Sequence, residues 1–324
     1  MAKEWRFEPA KFLSFRDQEV CARVRKIKKK DLCKHPNKNF KIRIIEDAGN
    51  LFFQFATHFV AGIRKAQEEG RKFVVILPAP WPNYRWVAHL INTMGISCRH
   101  VHTFNMDEWA DQDGNSAPAD WPHGFQYWMR QDFFSRIEAK LRMPEAQIHF
   151  PGRDNVKDYS TMIEDLGGAD VCYGGIGWCG HIAFFESHLG KEFGDDIDAY
   201  LQAGARLVEL HPITIMQSTV YSDNGRAGDW AYVPPKAYTV GPRDLKNSRL
   251  VSFWNTGYAG GGFAWQRFIT RLAAHGPVTP LVPASILQIL PSELIVLGSV
   301  ADDYDWDVPL RLDPWPWKGG HPWP

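Results

Sequence analysis

Gly174-Gly-Ile-Gly-Trp-Cys-Gly-His-Ile-Ala-Phe-Phe-Glu186 follows directly on an apolar run, residues 169–173, that reads as a buried strand. Four glycines within seven residues let the backbone turn sharply and approach a ligand closely, because glycine adopts positive φ at little cost. A histidine and a carboxylate, His181 and Glu186, then stand five positions apart. This is the layout of a polar site at the carboxyl end of a buried strand, where open α/β sheets bind their ligands.

Outward from this turn, strands alternate with helices. Residues 73–77 form a continuous apolar strand that ends in Leu77-Pro-Ala-Pro-Trp-Pro82, and residues 98–104 form another that leads into Asn105-Met-Asp-Glu-Trp109. Between them, Trp86, Val87, Leu90, Ile91 and Met94 are expected on the buried side of a helix. Upstream, Leu51, Phe52, Phe55, Phe59 and Ile63 share one helical face over residues 48–69, and Gly70 supplies the stop. Phe125, Met129, Phe133, Ile137 and Leu141 recur every four residues and predict a single helix. Further helices are expected over 156–166, 259–275 and 284–290, strands over 250–254 and 293–297, a short edge strand over 41–45, and a loop over 111–122. Most of these strands are apolar on both faces, which argues for an α/β fold with a mostly parallel sheet covered on both sides. Three regions result: an N-terminal extension over 1–40, one α/β domain over 41–300, and an aromatic- and proline-rich tail over 301–324.

Composition narrows the partners. The 324 residues carry 37 acidic and 37 basic side chains, and the one basic run, Arg25-Lys-Ile-Lys-Lys-Lys30, reads as a solvated face. A nucleic-acid partner therefore has no support. Cysteines at 21, 33, 98, 172 and 179 are odd in number and form no C-x-x-C pair, which points to reduced thiols and a cytoplasmic location. The charged first residues predict no signal peptide, and no segment has the length of a membrane span. Tryptophan is in excess at 14 copies, and flat aromatic faces suit a carbohydrate ligand.

Two constellations carry chemistry: Asp107 with Glu108 beyond one strand, and His181 with Glu186 beyond the central one. Both lie where a parallel sheet gathers its functional loops, so one cleft is expected to hold them. A carboxylate there can act as base on a carbon acid beside a carbonyl, and a histidine can move protons on oxygen near neutral pH. The plainer readings are a helix cap or solvated loop residue for Asp107 and a satisfied buried imidazole for His181. Gly175-Ile-Gly-Trp-Cys-Gly180 also spells G-x-G-x-x-G after a strand, with Asp195 and Asp196 near the spacing of a ribose contact, so a nicotinamide dehydrogenase is the alternative from another class. Cys179 and His181, two apart on a tight turn, are poorly placed as nucleophile and base. Cys179, His181 and Glu186 lack a fourth ligand and standard zinc spacing, so neither metal nor cofactor is assigned.

Taken together, Phe104-Asn-Met-Asp-Glu-Trp109 and the stretch Gly174 to Glu186 resemble the two signature segments of the glucosamine-6-phosphate isomerase/deaminase family. Weaker echoes fall at residues 125–134, at 237–241 and at Ile286-Leu-Gln-Ile-Leu-Pro291, in compatible order over residues 40–300. The resemblance implies a three-layer α/β/α sandwich related to Rossmann folds. It implies that Asp107 moves a proton between C2 and C1 of an opened sugar, that His181 assists ring opening and that Glu186 orients His181. It further implies no cofactor and a small sugar or amino sugar as ligand, touched by Trp81, Glu108, Gly175, Gly177, Trp178, Cys179, Gly180 and Arg206.

The departures from the family matter equally. Cys179 stands where the family has a third acid, and the turn after the first main strand offers prolines where the family offers phosphate-binding amides. Arg206 matches one phosphate-binding arginine, whereas the later arginine and lysine have no counterpart near Val220 and Gly257. The expectation is a proton shuttle acting on a sugar without the usual 6-phosphate, stacked on Trp81 or Trp178. A catalytically silent sugar sensor of the same fold is the alternative. The N-terminal extension and the tail each offer a surface for a homo-oligomer contact.

Overall fold

The computed structural model describes residues 7–79, 81, 83–221, 228–259 and 263–303. Two short helices come first, α1 (Gln18–Arg25), capped by the Asp17 carboxylate on Val20 N at 2.9 Å, and α2 (Lys29–Leu32). Next in order are β1 (Phe40–Ile45), α3 (Ala48–Glu68), β2 (Phe73–Leu77), α4 (Tyr84–Met94) and β3 (Val101–Asn105). Met106 alone separates β3 from β4 (Asp107–Ala110), after which come α5 (Phe125–Asp132), β5 (Ile148–His149), α6 (Val156–Glu164) and β6 (Val171–Gly174). The chain continues through α7 (Ile197–Tyr200), β7 (Arg206–Glu209), α8 (Pro212–Tyr221), β8 (Lys236–Thr239), α9 (Pro242–Lys246) and β9 (Val251–Asn255). It closes with β10 (Tyr258–Ala259), β11 (Phe263–Ala264), α10 (Arg267–His275), β12 (Ser292–Leu297) and α11 (Gly298–Ala301).

Seven strands form one sheet in the order β1-β12-β9-β6-β2-β3-β5, every pairing parallel. Strands β2 and β9 are buried at every position, as expected of strands covered by helices on both faces. From β2 the chain steps to β3 and β5, then returns to the opposite side of β2 for β6, β9 and β12. The order reverses between β2 and β6, and at such a switch point a crevice opens outside the carboxyl ends of the strands. A smaller antiparallel sheet, β4-β8-β7, stands beside it. Beneath the crevice, Phe55 of α3 meets Trp81, Tyr173 and Trp254 edge-on, with ring centroids 5.2, 5.0 and 5.4 Å away. Each such pair adds about 0.5–1.5 kcal/mol beyond its burial, so the floor of the crevice is stiff.

Several expected elements are shorter or differently faced. Helix α4 buries Tyr84, Val87, Ala88 and Ile91, while Trp86 and Met94 are 58% and 50% exposed. The buried face is thus rotated from the expected one. The helix expected from Phe125 to Leu141 stops at Asp132, because Phe133 leaves helical geometry at φ −128° and a 3₁₀ turn follows. Its five apolar residues are buried all the same. The helix expected over 259–275 begins only at Arg267, since β10 and β11 pair as a ribbon ahead of it, and the one over 284–290 is a 3₁₀ turn, Pro283–Gln288. Pro80, Pro82 and the tail from 304 onward lie outside the described residues.

Candidate active site

The crevice is a cleft with about 890 Å³ of non-atom space, the open solvent at its mouth included. Its walls come from the carboxyl ends of four neighbouring strands. Pro78, Ala79 and Trp81 follow β2, Met106 and Asp107 follow β3, Gly175, Ile176 and Gly177 follow β6, and Thr256 and Gly257 follow β9. His181 lines the same hollow as Asp107, as do the rings of Trp109, Phe125, Phe184, Trp254 and Trp265. Among the described lining residues there is no lysine or arginine.

His181 and Glu186 meet because the chain doubles back between them. Phe185 N donates to Ile182 O at 2.8 Å, and Ala183 takes φ +52° to make the turn, a conformation that strains a non-glycine residue by about 1–3 kcal/mol. Phe184 N donates to Thr239 Oγ1 at 2.9 Å, tying this turn to the small sheet. Ahead of the histidine, Gly180 takes φ +86°, and Ile176 N donates to Asn255 Oδ1 at 3.1 Å, which ties the glycine turn to β9. Glu186 is fully buried, and its Oε2 gathers the Thr214 hydroxyl at 2.9 Å, the Cys179 thiol at 3.0 Å and His181 Nδ1 at 3.2 Å. Its Oε1 accepts from His211 N at 3.2 Å. Nδ1 also lies 3.0 Å from Thr214 Oγ1, so Nε2 is the ring nitrogen left beside Gly177 in the cleft.

Electrostatics follow from this packing. Burial opposes a charge on His181, but the Cys179 sulfur and the Glu186 carboxylate outweigh it and raise the imidazole to about 10. Burial likewise opposes ionisation of Glu186, and the imidazolium beside it together with the Cys179 and Thr214 donors lowers its pKa nonetheless. Asp107 is pushed well above the usual carboxylate range, chiefly by burial, with His181 pulling it down and Glu108 pushing it up. The cleft therefore pairs a carboxyl of raised pKa with an imidazole that stays protonated through neutral pH, the combination that divides base and acid roles between two groups.

No family model matches the chain. A glucosamine-6-phosphate deaminase of Caenorhabditis elegans is 30% identical over 224 residues, spanning 66% of this chain and 75% of that protein. The chain belongs to the glucosamine-6-phosphate isomerase/deaminase family. A second relative of the same name, from Phocaeicola vulgatus, is 29% identical over 272 residues, 80% of this chain and 92% of that protein. Among solved structures, a monomeric glucosamine-6-phosphate deaminase of the NagB superfamily matches with a TM-score of 0.66 at 20% identity, over 81% of this chain and 98% of that one. A 6-phosphogluconolactonase from Thermotoga maritima matches with a TM-score of 0.55 at 18% identity, over 80% and 99%. At those identities the two structures attest the shared fold. The chain is thus an enzyme of the sugar isomerase/deaminase class.

In this isomerase/deaminase-family member, Asp107, His181, Trp81, Gly175 and Gly177 all line the cleft. Five other expected contacts do not. Glu108 turns away: its Oε1 accepts from Trp109 N and Phe125 N at 2.8 and 3.0 Å, and its Oε2 from Gln126 N at 2.7 Å. It caps the start of α5, where backbone donors favour a carboxylate. Trp178 and Cys179 line a separate cavity, with Trp178 Nε1 donating to Trp265 O at 3.2 Å. Gly180 packs towards Val282 and Ile269. Arg206 pairs with Glu192 through two bonds of 2.9 and 3.1 Å and lies over the Phe185 ring, a placement that leaves its guanidinium committed outside the cleft.

The dinucleotide reading also fails on geometry. The glycine turn runs into the Ile182 to Phe185 turn and a 3₁₀ segment, Ser187–Glu192, where a dinucleotide site needs a helix N-terminus. Asp196 caps α7 by accepting from Ala199 N at 2.8 Å. The structure adds residues to the candidate site that the sequence reading does not name: Thr214 behind His181, and Gln217, Ser218 and Gln266 on the cleft wall. The available signal was the polar stripe Thr214, Gln217, Ser218 at helical spacing in an otherwise apolar run. Among the described residues no helix is long and apolar enough to cross a membrane.

Proposed function

We propose that this enzyme interconverts an aldose and a ketose through an enediol, acting on a hexose or amino hexose without a 6-phosphate and releasing ammonia when C2 carries an amino group. One observation supports the reading above the others: Asp107 and His181, from different strand ends, line one cleft. The imidazolium at Nε2 is suited to give a proton to the ring oxygen as the sugar opens. Asp107 then takes the C2 proton and returns it to C1 while O1 gains a proton from solvent and O2, or the C2 nitrogen, gives one up to solvent, so that C1 becomes an alcohol and C2 a ketone, or an imine that water hydrolyses to a ketone and ammonia. Burial raises the pKa of Asp107, which makes its carboxylate a stronger proton acceptor. The opened sugar's own carbonyl stabilises the enediol, so the residues in the cleft suffice for the proton transfers.

Support for the missing phosphate is the absence of lysine or arginine among the described lining residues, with aromatic rings in their place. A phosphate dianion desolvated on such walls finds no charge-assisted partner. The test is solvent deuterium exchange at C2 of free and phosphorylated hexoses and hexosamines, followed by NMR. Exchange is expected with an unphosphorylated sugar, and Asp107→Asn should lower it at least about a thousandfold while the sugar still raises the melting temperature. Turnover unchanged in that variant refutes Asp107 as base. Cys179 in place of an acid favours a second reading, a sensor that binds sugar without turnover; binding with no exchange by the unaltered enzyme would select it.

A further inference from the structure

We infer that Cys179, His181 and Glu186 form a site for a soft divalent cation of the zinc class, and that its occupation switches the enzyme off. Each residue offers one ligand atom, and the three atoms lie within 4.8 Å of one another. Sγ is 3.4 Å from Nδ1 and 3.0 Å from Oε2, and Nδ1 is 3.2 Å from Oε2. Zinc bonds of about 2.0–2.3 Å in tetrahedral geometry hold neighbouring ligand atoms ~3.3–3.6 Å apart, so the three atoms need to spread by only a few tenths of an ångström. The sequence spacing looked wrong for a metal, yet the tight turn from Ile182 to Phe185 brings the third ligand back.

The sulfur decides which ion fits. Thiolate and imidazole with one carboxylate are ligands that zinc accepts, and a thiolate excludes the hard cations that an all-oxygen site would take. Thr214 Oγ1, 3.0 Å from Nδ1 and 3.8 Å from Sγ, or a water completes four-coordination. Cys179 also has its own approach, because it lines a cavity that shares no lining residue with the sugar cleft. That cavity is walled by Leu13 and Phe15 of the N-terminal segment and by Ile213 and Phe268. An ion can therefore reach the sulfur without crossing the cleft.

Binding forms metal–sulfur, metal–nitrogen and metal–oxygen bonds and releases to solvent the protons that Sγ and Nδ1 hold in their hydrogen bonds to Glu186 Oε2. The ring keeps its Nε2 proton but is no longer an imidazolium, and Glu186 is drawn to the ion. Loss of turnover rests on the acid role proposed above for His181; the binding itself does not.

The experiment uses the full chain carrying Cys21→Ser and Cys33→Ser, which leaves Cys98 and Cys172, both buried, as the other thiols. Cobalt(II) is expected to bind at ~1 equivalent with sulfur-to-cobalt charge-transfer absorption in the near ultraviolet, to be displaced by zinc, and to lose that band in Cys179→Ser. Zinc is also expected to shield one thiol of the parent chain from a disulfide reagent, a readout that stands if Cys179→Ser does not fold. Zinc should lower turnover at least about tenfold, reversibly on adding a chelator. Absence of the band and of thiol shielding, or a band that survives Cys179→Ser, overturns the site. Binding at Cys179 with turnover untouched by zinc overturns the switch. Binding by a chain that turns over no sugar even when metal-free upholds the site and overturns the catalytic reading instead.

Discussion

A methyl group at Gly177 would place its carbon 1.8 Å from His181 Nε2, so Gly177→Ala must move either the turn or the imidazole. An error of about 1 Å in a catalytic group costs on the order of a hundredfold in rate, and kcat should fall by that much while circular dichroism stays unchanged. A rate within twofold of the parent would show that His181 does not act from this position. Glu108 is the opposite case, next to Asp107 in the chain but turned onto the backbone donors at the start of α5. In Glu108→Gln one oxygen that accepts a backbone N–H becomes an amide that opposes it, and stability should drop by about 1–3 kcal/mol with KM unaltered. Burial, against the pull of three backbone N–H donors, raises the Glu108 carboxyl from 4.5 to about 7. The folded state therefore holds a proton that the unfolded state releases, and this contribution to stability is present below pH 4.5 and lost as pH rises through about 7. Urea titrations at several pH values should show a flatter profile for Glu108→Gln in that window; an unchanged slope would mean that Glu108 does not titrate there. Asp107, His181 and Glu186 stand out in the sequence because their types and spacing within two motifs point to proton transfer, and the fold brings Asp107 and His181 to one cleft with Glu186 behind the imidazole. The roles of Glu108 and Arg206 do not stand out, since a carboxylate or guanidinium reads alike whether it faces a ligand, a helix end or an ion pair.

At the scale of elements, the parallel strands were readable because burial on both faces leaves an unbroken apolar run, as in β2 and β9. Helix lengths were not, because a 3₁₀ turn after Phe133 keeps the spacing of four going without a helix beneath it. The small sheet escaped notice since β4, β7 and β8 are four residues each, too short for alternation to show. Helix α8 is hard to read from sequence because Thr214, Gln217, Ser218 and Thr219 break up its apolar residues, yet it delivers Thr214 to the pair His181 and Glu186. The Thr214 hydroxyl donates to Glu186 Oε2 at 2.9 Å and lies 3.0 Å from Nδ1. Thr214→Val keeps the shape and removes the donor, leaving Glu186 one bond short in a dry site. Turnover should fall by about tenfold and stability by about 1–2 kcal/mol, and Thr214→Ser should restore both. If Thr214→Ser behaves like Thr214→Val, methyl packing rather than the hydroxyl is what the cluster requires.

At the scale of the whole molecule, a buried arginine helps to join the two ends of the described chain. Arg271 of α10 is fully buried and donates to Ile27 O at 2.9 Å, Ala301 O at 2.7 Å, Asp302 O at 3.1 Å and Arg267 O at 3.1 Å. Asp303 Oδ1 lies 3.9 Å from the same guanidinium, so carbonyl dipoles and the Asp303 carboxylate meet the buried charge. Ile27 lies between α1 and α2, and residues 301–303 follow the edge-adjacent strand β12, so the contact clamps the N-terminal segment against the end of the sheet. Further along, that same segment reaches the back of the active site, where Phe12 O lies 3.1 Å from His211 Nε2 and His211 N donates to Glu186. Replacing the guanidinium by an apolar chain of similar length, Arg271→Met, leaves several buried carbonyls without a donor and Asp303 without its cation. Removing one member of a buried charged network costs about 3–5 kcal/mol, whereas the cleft, which Arg271 does not line, keeps its shape while the chain is folded. The urea midpoint should therefore shift strongly, with kcat/KM at low temperature within about twofold of the parent. A midpoint shift worth less than about 1 kcal/mol would mean that the ends are held by other contacts, among them Lys29, whose N donates to Asp303 Oδ1 at 2.7 Å and whose Nζ pairs with Asp302 at 2.9 Å. A large loss of kcat/KM in the folded variant would mean that the clamp also sets the position of Glu186 through the N-terminal segment.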